Sequence, residues 1–440
     1  MARTIITFLN NQSPRETRYL HRGTEYRGGY FPEALVQFCP FDRMLVFVTP
    51  EARAEAWPAL QARCPNADVA AIDIPAGRTT EEIWEIFRAV VNAVQPNDEI
   101  VIDITHALRS IPFLAFLFVA YLQFSGAARL DALYYGALEL ADRKLDGPAP
   151  VIDLTEFAGM LQWIGAAEQF TSSGNGEAIA RLLLVQSHKA RPTNPAAADA
   201  LQDASMHIEN LTRALELNLP METAQAARRL FEDLPDLLAR SSAHSPQMRV
   251  LGNRVRTRYE NLGLPSMDLT DRRVLISAVE QQRLMALAQL KRGAYYQAAL
   301  LIHETLVSAV MVHLGDRHID EYEPRQRVHR TLQIFRRIWE AQKNGEEYQP
   351  TSSARRDLAD PKITRWLQIL GALPYADRLA RTIKRATRLR NHLAHCGFES
   401  TSEHGTPSSA HDQREALHEA VKALSPLLRQ LLKPSENPSA

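Results

Sequence analysis

The chain has 440 residues, with Lys+Arg and Asp+Glu each counting 51, so its formal net charge at pH 7 is zero with histidine neutral. That length exceeds what one hydrophobic core usually serves, and two or three domains are expected. The balanced charge excludes a global field that would draw the protein to nucleic acid or membrane, so any surface that binds a polyanion must be local.

Cys39, Cys64 and Cys396 lie far apart without paired spacing. This argues against a disulfide framework or a cysteine zinc site and for a reducing, cytoplasmic compartment. The first ten residues lack the cationic head, long apolar stretch and small-residue cleavage site of a signal peptide. The most apolar run, Ile111 to Phe124, falls short of the roughly 20 residues that span a bilayer. It reads as a buried or interfacial helix, and no membrane partner is expected.

From Thr4 to about Thr155, β-rich runs alternate with helical stretches, the pattern of a parallel sheet with crossover helices. Strands are expected at Thr4 to Leu9, Met44 to Thr49, Val69 to Ile74, Glu99 to Ile104, Ala132 to Tyr135 and Val151 to Leu154. Helices fit between them at Pro32 to Phe38, Glu51 to Arg63, Thr80 to Val94 and Pro112 to Phe124. Such α/β, Rossmann-like sheets bind ligands at the carboxyl ends of their strands. The residues there are polar: Asn10, Asn11, Gln12 and Ser13 after the first strand, Thr49 at the end of the second, Arg78 after the third, and Thr105, His106, Arg109 and Ser110 after the fourth. No Gly-x-Gly-x-x-Gly follows any strand, which speaks against a dinucleotide.

After Glu156 the strand signals stop, and an all-α region is expected to about Leu432. Its boundaries read as a helical linker over 157–200, an all-helical domain over 201–432 and a disordered tail over 433–440. Near its end stands Arg390-Asn391-His392-Leu393-Ala394-His395. Arginines separated from a histidine by four to six intervening residues occur here as often as chance predicts, so spacing alone is weak. Context adds more. On a 3.6-residue helix Ala386, Leu389 and Leu393 share one stripe, while Arg388, Asn391 and His395 project from the opposite side and Arg390 sits on the shoulder. Arg381, Lys384, Arg385, Arg388 and Arg390 follow with no acidic residue between them, a local strip that attracts phosphate. A solvated basic face with an incidental histidine fits the same residues. A metal site on His392 and His395 finds no third ligand nearby, and none is expected.

The Arg-Asn-x-x-x-His pattern in a helical C-terminal domain resembles the HEPN ribonuclease motif, and Asp103-Ile104-Thr105-His106-Ala107-Leu108-Arg109-Ser110 resembles the Asp-x-Thr-His-Gly signature of a CARF sensor domain. Their order and spacing resemble the CRISPR-associated CARF-HEPN ribonucleases of type III systems, over nearly the whole chain. Ala107 stands where that signature has glycine.

The resemblance implies a CARF-like sensor over 1–156 and a cyclic oligoadenylate activator, with cyclic tetra-adenylate favoured and cyclic hexa-adenylate the alternative. Asn10, Asn11, Gln12, Thr49, Thr105, His106, Arg109, Ser110 and Tyr135 are the candidate ligand contacts, each equally readable as a strand-end or capping residue. Asp103 reads as structural, tying the loop together. The resemblance further implies a homodimer, or a higher oligomer, that cuts single-stranded RNA without metal, leaving a 2′,3′-cyclic phosphate and a 5′-hydroxyl. His395 would be general base or acid, Arg390 would stabilise the pentacoordinate transition state, and Asn391 would position the histidine or the phosphate. A ligand-responsive binding module or transcription regulator is the competing reading. It would want a compact helix-turn-helix, and the helical part here is far longer.

Overall fold

In a computed structural model, which describes residues 2–108, 110–141, 147–241, 247–394 and 410–433, the chain divides into two compact units, Met1–Gly165 and Ala166–Ala440. The first unit is built on an eight-stranded sheet. Its strands are β1 (Arg3–Leu9), β2 (Thr17–His21), β3 (Thr24–Gly28), β4 (Arg43–Val48), β5 (Val69–Asp73), β6 (Asp98–Asp103), β7 (Ala128–Gly136) and β8 (Ala149–Asp153). Its helices are α1 (Phe31–Phe38), α2 (Pro50–Glu55), α3 (Trp57–Arg63), α4 (Thr80–Ala93), α5 (Ile111–Phe124) and α6 (Thr155–Ser173), and the division between the units falls inside α6.

The strand order is β3-β2-β8-β7-β6-β1-β4-β5. The central five, β7-β6-β1-β4-β5, pair in parallel, as the alternation of strand and helix signals predicts. β1 and β4 are buried on both faces along most of their length because helices cover the sheet on either side, and this is why they read as continuous apolar runs. The chain winds outward from β1 in both directions, through β4 and β5 on one side and β6 and β7 on the other. The strand order therefore reverses between β1 and β6, and a crevice is expected outside their carboxyl ends.

Three details differ from expectation. β8 runs antiparallel to β7, and the described residues of the segment joining them hold a single helical turn, Leu138–Leu140. The stretch expected as one helix over 51–63 is two, α2 and α3, parted at Ala56, and Pro58 follows in the first turn of α3 without an N–H to donate. Finally, β2 and β3 form a hairpin that had not been expected. It closes on Arg22 (φ 50°) and Gly23 (φ 84°), the pair of left-handed residues that a tight two-residue turn requires, and β2 extends the sheet by pairing in parallel with β8.

The described residues of the second unit are helical, as expected. After α6 come α7 (Glu177–Ala190), α8 (Pro195–Glu216), α9 (Pro220–Ser241), α10 (Gln247–Tyr259), α11 (Arg272–Lys291), α12 (Tyr295–His313), α13 (Tyr322–Lys343), α14 (Ser352–Leu358), α15 (Pro361–Gly371), α16 (Ala376–Ala394) and α17 (Ala410–Leu431). From Ala166 on, the segment read as a linker over 157–200 belongs to this unit, and α7 and α8 pack closely on each other. Most of the expected tail, residues 434–440, lies outside the described residues. Among the described residues no helix is long and apolar enough to cross a membrane.

Candidate functional sites

At the carboxyl edge of the sheet the polar residues singled out from the sequence gather on loops that follow neighbouring strands. Asp103, at the end of β6, is fully buried. Its Oδ2 accepts from the Thr7 hydroxyl of β1 at 2.6 Å and its Oδ1 from the backbone N–H of Thr105 at 2.7 Å. It thereby ties β1 to the loop after β6, the structural role expected of it. Burial pushes its carboxyl pKa up to about 6, against the pull of those hydrogen bonds.

The loop after β6 is fastened further. Thr105 Oγ1 accepts from the N–H of Gly136 at 2.7 Å, and a Cβ at Gly136 would stand 3.0 Å from the Phe31 ring, tighter than ordinary contact, so glycine eases the close approach of β7, α1 and this loop. His106 is 7% exposed, and its Nε2 accepts from the N–H of Phe31, the first residue of α1, at 3.0 Å. Burial lowers its pKa to about 4, which keeps it neutral and able to accept. Tyr30 meets the His106 ring edge-on, and its hydroxyl donates to the carbonyl of Gln12 at 3.1 Å, joining the loop after β1 to this cluster.

Thr49 is buried and caps α2, accepting from the N–H of Ala52 at 3.3 Å. Tyr135 donates to Glu139 at 2.6 Å, and burial together with that carboxylate raises its pKa to about 12. Asn10 accepts from the N–H of Gln12 at 3.1 Å, while Asn11 and Gln12 are exposed. Ser110 precedes α5 and its side chain makes no capping bond there. Its hydroxyl lies 3.8 Å from where a Cβ would sit on Gly77 (φ 71°), so the loop after β5 borders the same edge. Arg109 lies outside the described residues. Sequence reasoning missed Tyr30, Phe31 and Gly136, which carry no polar motif and matter because the fold folds α1 and β7 onto the loop.

In the second unit, Arg390 and Asn391 are half-buried near the C-terminal end of α16, while Ala386 and Leu389 face the interior as the helical spacing requires. His395 lies outside the described residues. His392 Nε2 stands 2.8 Å from the Gln413 side-chain amide of α17. The basic strip is less bare than its sequence indicates. Arg381 pairs with Asp377 one turn earlier, and Lys384 with Glu340 of α13 at 3.0 Å, because a neighbouring helix brings an acid that the local sequence does not display.

Beside Arg390 the helices assemble a cluster that no motif announced. Glu304 of α12 presents Oε1 to His303 Nδ1 and to His329 Nε2 of α13, 3.4 Å from each, and Oε2 to the Arg325 guanidinium. The two imidazoles stack, ring centroids 5.0 Å apart. Burial lowers the His303 pKa; Glu304 opposes this, and the positive charges of His329 and Arg390 add to it, which places Arg390 within electrostatic reach of the cluster. Burial alone would raise the Glu304 pKa, but both histidines and Arg325 hold it well below the usual carboxylate range.

These three residues offer ligand atoms within 4.8 Å of one another, a donor set that zinc accepts. One ligand atom of this set is already engaged, because Glu304 Oε2 pairs with the Arg325 guanidinium. The spacing of Arg325 and His329, one helical turn apart, was the one local sign in the sequence.

Comparison with known proteins adds a separate observation. Residues 159–261 match the family described as "CRISPR-associated protein MJ1674, second domain". The CRISPR-associated protein MJ1674 of Methanocaldococcus jannaschii is 37% identical to this chain over 113 residues, 25% of this chain and 18% of that protein. The match thus spans less than a fifth of that relative's length. Among solved structures, Enterococcus italicus Csm6 bound to cyclic hexa-2′-fluoro-hexa-dAMP aligns with 98% of this chain and 94% of that chain, at a TM-score of 0.44 and 11% identity. The sequence similarity is to CRISPR-associated proteins, and the family match covers neither Asp103–Ser110 nor Arg390–His395.

Proposed function

We propose that the chain is a cyclic-oligoadenylate-activated, metal-independent endoribonuclease of the CARF-HEPN kind, acting in type III CRISPR antiviral defence in the cytoplasm. The observation that carries this reading is the pairing, in one chain, of a strand-order reversal bordered by polar loops with a basic helix end bearing Arg390 and Asn391. The similarity of 159–261 to CRISPR-associated proteins supports the same setting.

In this reading residues 1–156 sense the activator, 157–200 connect, and 201–432 cut RNA. Cyclic tetra-adenylate is the favoured activator and cyclic hexa-adenylate the alternative. The ligand meets the exposed Asn11 and Gln12 together with Asn10 and Ser110, and Arg109 is assigned as a further contact. Thr49, Thr105, His106 and Tyr135 shape the crevice while their side-chain oxygens or ring nitrogen stay bonded within the protein. A cyclic ligand of repeated units suits a two-fold pocket. Helix α5 is suited to supply the contact between subunits: Phe113 and Phe124 are 80% and 94% exposed, Leu117 and Tyr121 lie exposed between them, and the opposite side of the helix packs on the sheet.

At the nuclease centre His395 exchanges the proton, Arg390 holds the phosphate as it gains charge, and Asn391 positions the reacting groups. The 2′-hydroxyl attacks the adjacent phosphorus and the 5′-oxygen leaves. End-group analysis of end-labelled single-stranded RNA, cut with activator present and a chelator in excess, tests this chemistry. Fragments ending in 2′,3′-cyclic phosphate and beginning in 5′-hydroxyl support it, whereas 3′-hydroxyl and 5′-phosphate ends, or loss of cutting on chelation, would show a metal-dependent nuclease instead.

A further inference from the structure

We propose that His303, Glu304 and His329 form a binding site for a single zinc ion, which fastens α12 to α13. The inference does not rest on the ribonuclease reading, whose chemistry uses no metal, and either can fail without the other.

The first ground is spacing. Glu304 Oε1 stands 3.4 Å from His303 Nδ1 and 3.4 Å from His329 Nε2. An N–H···O bond of ordinary strength closes to about 2.7–3.2 Å. Around a tetrahedral zinc, with bonds of about 2.0–2.2 Å to nitrogen and oxygen, neighbouring ligand atoms stand about 3.3–3.5 Å apart. Both contacts therefore have the length of a tetrahedral edge. All three ligand atoms lie within 4.8 Å of one another, so turning an imidazole closes the remaining edge. Two of the residues come from α12 and one from α13, helices of the same unit that pack on each other.

The second ground is the way the carboxylate is held. Glu304 Oε2 is engaged by the Arg325 guanidinium, which also donates to the Ile319 carbonyl at 2.6 Å and to the Ser308 hydroxyl at 3.0 Å. Oε1 is left for the ion, and Arg325 keeps its partner when the ion arrives. A ligating carboxylate bonded through its other oxygen is the usual support of a protein metal site. The side chains of His303 and His329 are 9% and 17% exposed and that of Glu304 38%, so the ion enters on the Glu304 side and a water completes its shell there.

The third ground is donor chemistry. Two imidazoles and one carboxylate suit zinc, whereas magnesium and calcium take sets of oxygens. A metal needs neutral rings and an ionised carboxylate. Burial lowers the His303 pKa, and Glu304 stays below the usual carboxylate range although burial opposes this. The Arg325 charge, drawn to the same carboxylate, loosens the hold on a cation, so the zinc is expected to exchange with a chelator.

Full-length protein stripped by a chelator and dialysed is titrated with zinc chloride alone and followed by calorimetry and by melting. One zinc per chain is expected, with a melting temperature raised by about 5–10 °C when zinc is at a hundred times its dissociation constant. His303→Ala and His329→Ala, which both leave the pair of Glu304 with Arg325 intact, should gain nothing from zinc. X-ray absorption at the zinc edge of the native protein, which needs no variant, should count two imidazoles on the ion. Failure of the native protein to take up zinc, uptake undiminished in both variants, or a zinc shell without imidazole would overturn the inference. None of these readouts uses RNA. The end-group assay of the ribonuclease reading, run below the melting temperature of the stripped protein, is undisturbed by loss of the ion.

Discussion

The carboxyl edge of the sheet and the junction of α12, α13 and α16 place polar residues in opposite ways. At the sheet edge the motif residues satisfy one another: Asp103 takes Thr7 and Thr105, Thr105 takes Gly136, and His106 takes Phe31. At the helix junction one carboxylate faces two imidazoles and one guanidinium, with a second guanidinium nearby, so charge is left for a visitor. In the proposed reading, a loop that holds its shape around a ligand spends its side chains on itself, while a centre that acts on a phosphodiester keeps positive charge in reserve.

This contrast can be broken or sharpened by substitution. The largest effect is expected from Arg390→Ala, which should lower RNA cleavage at least 10²- to 10³-fold with little change in melting temperature, since it removes charge stabilisation from a half-buried helix face. If the protein instead unfolded, the helix-end residues would be as structural as those of the sheet edge.

Next in size is Asp103→Ala, which strands the Thr7 hydroxyl and the Thr105 N–H and should cost about 1–3 kcal/mol of stability for each group left unpaired. The pH dependence carries a further signature. A carboxyl raised to about 6 adds stability that is complete below its unfolded pKa and lost as pH rises through 6. His106, depressed to about 4, acts in the other sense: its contribution is present above the unfolded value and lost as pH falls through 4. Denaturant titration between pH 4 and 7 should therefore show Asp103→Asn gaining stability relative to the native protein as pH rises, and His106→Gln gaining relative stability as pH falls. Identical slopes in all three proteins would contradict the assigned environments.

Smaller again, Asn11→Ala and Gln12→Ala should leave stability within about 0.5 kcal/mol, because both side chains are exposed, while weakening activator binding in calorimetry. Unchanged binding in the double variant would move the activator away from the loop after β1. Phe113→Asp with Phe124→Asp should shift the protein toward monomer in sedimentation without destabilising the sheet, since these rings stand clear of its core.

Much of the sheet was legible because a strand buried on both faces writes itself as an apolar run, and β1, β4 and β6 do so. The hairpin was not, since Arg22 is an uncommon occupant of a left-handed turn position and β2 and β3 carry charged side chains along their length. Nor was the direction of β8, which depends on how the chain returns. The Arg390 end of α16 was legible from a short motif. Its surroundings were not: Glu340, which neutralises Lys384, and Trp339, which donates to Asp377, both come from α13, far from α16 in the sequence. Helical interiors leave a periodicity in sequence, but which helices meet is decided by packing that no single stretch records. The family match to 159–261 includes Gln169 to Ala200, a stretch that carries no motif with readable chemistry.

The most direct test of the central claim is the rate at which the purified protein cleaves single-stranded RNA as cyclic tetra-adenylate is titrated, with cyclic hexa-adenylate and no ligand run in parallel. The account predicts cleavage that rises and saturates with a cyclic oligoadenylate. Cleavage equally fast with and without either ligand, or saturable ligand binding with no cleavage at all, would contradict it.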